Sequence, residues 1–133
     1  MLIFQGFESW GLLVLRVFLG MIFIYHGLPK LMMPGKMAKG MGWSSASVAV
    51  LGLFEFLASL ALILGFYAEI GAIVIGLVML GALWHKMFKW NVSFFAMDKT
   101  GWEFDFMLLG ASIAVLLLGA GGISLDSFFG LWP

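Results

Sequence analysis

The chain has 133 residues, seven basic and seven acidic, so its formal net charge is zero. Apolar residues make up 63% and charged residues 11%, with a mean hydropathy of +1.11. A soluble domain carries roughly 25% charged residues, so this stock cannot clothe a surface in water, and the neutral balance excludes nucleic acid as a main partner. The absence of cysteine excludes disulfides, thiolate metal sites and iron–sulfur ligation by this chain. No cleaved signal peptide is expected, because Glu8 and no basic residue precede the first apolar run.

The length suits one domain, residues 1–133. Four apolar stretches approach the length of about 20 residues that a helix needs to cross a bilayer. They predict spans over 10–27, 46–66, 68–88 and 102–120. The second and third are apolar around nearly their whole circumference, unlike a soluble amphipathic helix. The fold class is therefore all-α, a polytopic membrane protein with a four-transmembrane-helix antiparallel bundle. Each of the six tryptophans, with Tyr25 and Tyr67, falls at or near a predicted span end, where amphipathic rings favour the headgroup level. Phe66 to Glu69 reads as a tight hairpin, and glycines and serines within spans suit close helix packing in lipid.

Lys30, Lys36 and Lys39 fall between spans one and two, and Lys86, Lys89 and Lys99 between spans three and four. The other side holds Glu8, Glu69 and Asp126 and no basic residue. The positive-inside rule then places the lysines in the cytoplasm and both termini outside, in a multi-pass plasma-membrane (inner-membrane) protein.

Ionisable groups within spans are costly and each needs an account. By helical rise, Arg16 lies about 4 Å from the midpoint of span one, and Glu55 about 2 Å from that of span two. These depths predict an Arg16–Glu55 ion pair, either a register pin or part of a site. Gly52, Glu55 and Ser59 share a face at spacings of three and four. Nearer the lysine side, His26, His85 and Asp105 each fall about 11 Å from their span midpoints, with Glu103 about 3 Å further out. Such a set suits a proton relay or the polar lining of a quinone head-group site. The competing reading is helix capping: His26 before Gly27 at a helix end, and Glu103 and Asp105 in a first turn, each complement a helix dipole. Glu103 and Asp105 also stand about 200° apart on the helix, so they cannot both face one point.

Met33, Met37 and Met41 repeat every four residues and raise Cu(I), but Pro34 interrupts the helix this spacing assumes, and adaptable apolar contacts explain them as well. The segment 89–101, with Trp90, Phe94 and Phe95, reads as a membrane-surface loop and a lid over the histidine level.

Arg16 with Gly20, then His26-Gly27-x-x-Lys30, Glu55, Leu64-Gly65-Phe66, His85 and Gly101-Trp102-Glu103 together resemble the DoxX family, over nearly the whole chain from Trp10 to Asp126. The resemblance implies a prokaryotic four-helix membrane protein associated with quinone-linked oxidoreductases. It also implies that Arg16, His26, Lys30, Glu55, His85 and Glu103 occupy the family's recurring polar positions; Asp105 matches none of them. The function expected is a small membrane subunit of an oxidoreductase system, its polar pocket (Arg16, His26, Lys30, Glu55, His85, Glu103, Asp105) serving quinone proximity or proton relay. Whether the chain is itself an enzyme stays open. The partners expected are lipid with a membrane or peripheral redox protein, or a second copy of the chain. No cofactor is predicted within the chain and no metal; a bis-histidine haem on His26 and His85 is disfavoured because both read as helix-end residues. The alternatives are a scaffold or assembly subunit without chemistry, and a proton-coupled carrier of a small solute, the latter weakened by the lack of paired broken helices.

Overall fold

The structure, a computed structural model, describes residues 6–132. Their regular structure is entirely helical: α1 (Glu8–Met32), α2 (Pro34–Met41), α3 (Ser45–Leu64), α4 (Ala68–Trp84) running into a π turn (His85–Lys89), α5 (Trp102–Leu118) and α6 (Leu125–Phe128). Three segments are long and apolar enough to cross a membrane: α1, α3, and α4 with its π turn. Large apolar side chains such as Phe18, Leu57 and Leu77 stand on their outer faces, as lipid-facing positions require.

The elements differ from the sequence expectation at their ends. Helix α1 runs five residues past Gly27, through Pro29, to Met32. Gly27 is thus a packing residue and no cap: a Cβ there would meet the Gly52 carbonyl oxygen at 2.9 Å. Pro34 does not interrupt a helix but begins one, at the first position of α2, where the missing N–H costs nothing. Helix α5 has 17 residues, about 25 Å of rise, and stops at Leu118 because Gly119 leaves helical geometry with φ +74°.

The most extensive packing is between α1 and α3, followed by α4 with α5 and α3 with α4, and α5 also touches α1. The α1–α3 seam is made of small residues. A Cβ on Gly20 would lie 2.9 Å from the Ser59 carbonyl oxygen, and one on Gly52 would lie 2.6 Å from Lys30 Cβ. Helices in lipid gain little from the hydrophobic effect and associate by such close approach. The apolar core runs from Leu19 and Phe23 on α1 through Leu62 and Ile75 to Val115 on α5.

The end of α3 closes in a Schellman turn: Gly65, at φ +64°, donates its N–H to the Leu62 carbonyl and Phe66 donates to Ala61. The next helix has no cap of its own. The Asp126 carboxylate supplies one, accepting the Tyr67 N–H at 2.8 Å and the Ala68 N–H at 3.0 Å. At the other end, the carbonyls of Ser93 and Phe94 accept the first amides of α5, from Trp102 and Glu103, so the 89–101 segment folds back over that helix start.

This packing generates a paired prediction. Gly52→Val forces α1 and α3 apart and costs about 1–3 kcal/mol, read as a lower thermal midpoint in detergent. Gly110→Val, where a Cβ meets nothing within 4 Å, leaves the midpoint unchanged.

Candidate functional site

The two charges placed near mid-membrane do not pair with each other. Arg16 is fully buried and donates from Nη1 to the Leu62 carbonyl (2.9 Å) and from Nη2 to the Ile123 carbonyl (2.6 Å). It joins α1 to the end of α3 and to the segment before α6. Glu55 pairs instead with Lys30, whose Nζ lies 2.7 Å from each carboxylate oxygen. The expected Arg16–Glu55 pair fails for a physical reason. Because α1 continues past Gly27, Lys30 stands on the helix rather than in a loop, 14 residues or about 21 Å of rise from Arg16. Lys30 therefore lies at the lysine-side end of α1, where Glu55 faces it.

A second, partly buried pair joins Lys86, on the π turn, to Asp105 on α5, with Nζ to Oδ2 at 2.5 Å. Lys86 was expected only as a flanking charge. A π turn winds more slowly than an α-helix, and here both His85 and Lys86 turn toward the interior.

Between these pairs lies a cavity of about 500 Å³. Its charged and titratable lining is His26 and Lys30 from α1, Glu55 from α3, His85 and Lys86 from the π turn, and Asp105 from α5. Of the residues expected to form a pocket, Arg16 and Glu103 are not in this lining. Arg16 belongs to the other end of the molecule. Glu103 is on the far side of α5 from buried Asp105, as their angular separation requires.

The histidines are held differently. His26 lies well inside α1, not at its end, and stacks on Phe104 of α5 with ring centroids 6.3 Å apart. His85 Nδ1 lies 2.9 Å from the Gly81 carbonyl oxygen. A carbonyl can only accept, so the bond puts a proton on Nδ1, and Nε2 is the nitrogen left free to act as a hydrogen-bond acceptor or base whenever the ring is neutral. Trp43, Trp84 and Trp90 surround this imidazole at centroid distances of 5.3, 5.1 and 5.5 Å. Trp43 and Trp90 also line the cavity. The sequence marks them only as interfacial aromatics; their convergence on His85 depends on the π turn, which no periodicity announces, and on α2, whose four-residue methionine spacing is masked by Pro34. Among the described residues no group of three His, Cys, Asp or Glu is placed to hold a metal ion.

The fold and cavity together define a helical membrane protein with a charged, aromatic-walled recess among its helices. The profile of the DoxX family matches residues 11–90, and the chain belongs to that family. It is also similar to the "Putative oxidoreductase CatD" of Bacillus subtilis (strain 168), with 31% identity over 127 residues, 93% of this chain and 90% of that protein. No solved structure matches it.

The Lys30–Glu55 pair generates a coupling prediction. Glu55→Gln strands a buried lysine and costs about 3 kcal/mol, seen as loss of folded protein in detergent. Lys30→Met combined with Glu55→Met restores most of it. Arg16→Met shows no coupling to Glu55→Met in a double-mutant cycle.

Proposed function

We propose that the protein is a small integral subunit of a membrane oxidoreductase system and that its cavity takes a quinone head group or relays protons to one. The observation carrying this reading is the convergence of His26, Lys30, Glu55, His85, Lys86 and Asp105, from four helices, on one recess. Lysine ammonium groups can donate to quinone oxygens, and His85 Nε2 can accept a proton from a reduced hydroxyl. The wall residues Leu51, Val78 and Leu108 suit the apolar ring, and the volume falls within the roughly 300–1,000 Å³ of small-molecule sites. The name of the similar B. subtilis protein fits an oxidoreductase role. The redox centre that exchanges electrons with the quinone would belong to a protein partner.

In this reading α5 is the fourth span of an antiparallel bundle in the plasma membrane, with both termini outside the cytoplasm. Its shortness is offset by local thinning of the bilayer. Lys30 and Lys86 are neutralised by Glu55 and Asp105, so orientation rests on Lys36, Lys39, Lys89 and Lys99, still all on one side. Cysteine placed at Ser127 reacts with an impermeant maleimide on intact cells, and cysteine at Lys36 only after permeabilisation; the opposite pattern inverts the topology.

A scaffold role without chemistry is the second reading, favoured by the completeness of the two ion pairs. Purification with native lipids separates the two. The head-group reading expects a co-purifying quinone, and His85→Ala, removing about 1.4 kcal/mol of hydrogen bonding, lowers quinone affinity about tenfold without lowering the amount of protein in the membrane. A scaffold carries none and tolerates the change.

A further inference from the structure

We propose that the cavity is loaded sideways from the bilayer, through a gap between α3 and α4 whose sill is Gly81, by an amphiphile with a compact oxygen-bearing head and an apolar tail. The proposal rests on the cavity being a head-group site and adds how the ligand arrives and what it must carry.

Helices α3 and α4 are tight at their hairpin end. A Cβ on Gly71 would meet the Ala58 carbonyl oxygen at 3.0 Å and Ala61 Cβ at 3.1 Å. Ten residues along α4 the situation reverses: a Cβ on Gly81 meets nothing within 4 Å, although Gly81 lines the cavity. Leu77, one turn away, also lines the cavity while 63% of its surface is exposed on the outer face of α4. A residue that both walls a cavity and faces outward marks the cavity's rim, and this rim faces lipid. Leu77, Gly81 and His85 follow at intervals of four, a stripe leading from the lipid-facing flank of α4 to the imidazole. Leu51 lines the cavity from α3.

The lining residues Leu51, Leu77, Val78 and Ala82 are apolar, and the charged lining residues are Lys30, Glu55, Lys86 and Asp105. A solute arriving from water would need a polar mouth to replace its hydration, whereas a molecule already dissolved in lipid loses nothing at an apolar one. A volume of about 500 Å³ takes a substituted ring, and a tail on that ring extends along the apolar flank over Gly81.

The test is equilibrium binding to the full chain in lipid nanodiscs, with two probes: a benzoquinone bearing a decyl tail, and the same ring with methyl in its place. Gly81→Phe should weaken decyl binding about tenfold and leave methyl binding unchanged, while Gly81→Ala keeps both. Leu77→Trp, at a position outside the packed core, should act as Gly81→Phe does and keeps the test intact if the phenylalanine disturbs folding. Equal weakening of both probes, no weakening of either, or a wild type that binds the methyl probe and refuses the decyl one overturns the sideways route alone. A wild type that binds neither probe overturns the head-group reading, and the route with it.

Discussion

A glutamate near the middle of α3, which alone would cost about 3 kcal/mol in lipid, and a lysine near the end of α1 hold the lysine-side half of this molecule together by meeting. Lys30 reaches Glu55 with both carboxylate oxygens at 2.7 Å because Gly27 and Gly52 let the two backbones nearly touch; Lys30 Cβ occupies the space that a Cβ on Gly52 would claim. Glycine packing and charge pairing are therefore one constraint. Without the close approach the pair would be out of reach, and without the pair the approach would enclose two bare charges. In the first half of α1, Arg16 is held by two backbone carbonyls in place of a carboxylate, with its Nε left unpaired.

That constraint shapes the cavity. Neutralised charges can line a recess in lipid where free ones could not, and Lys86–Asp105 repeats the arrangement on the other wall. The π turn adds a local irregularity that brings two consecutive polar residues to the interior. Extra residues of this kind within a helix recur at functional sites. Here it sets His85 among three tryptophans with its tautomer defined by the Gly81 carbonyl.

Much of this was legible from residues alone. Run length and hydropathy locate the long helices to within a few residues, and the Gly52, Glu55, Ser59 stripe is buried as its spacing implies. The levels of His26, His85 and Asp105 also bring them to one cavity. The partner of Glu55 was not legible, because His26 before Gly27 reads as a helix end in water-based rules, which left Lys30 in a loop. In lipid a glycine more often marks where another helix comes close, and Pro29 is tolerated one turn from the end of α1. The role of Lys86 was hidden for another reason: a π turn carries no periodicity of its own, so helical-wheel reasoning assigns the residues around it to the wrong faces.

The Asp126 cap has a consequence for biogenesis. The first amides of α4 are satisfied by a carboxylate 59 and 58 positions later in the chain. A hairpin of α3 and α4 leaving the ribosome must therefore wait, its turn unsealed, until the last helices have been synthesised. The Ile123 carbonyl that receives Arg16 arrives in the same stretch. Translation order thus makes the closing segment a checkpoint: a nascent chain stalled before it leaves the first amides of α4 uncapped and the Arg16 guanidinium short of one of its two carbonyls, the kind of lesion by which a membrane protease could tell unfinished chains from finished ones.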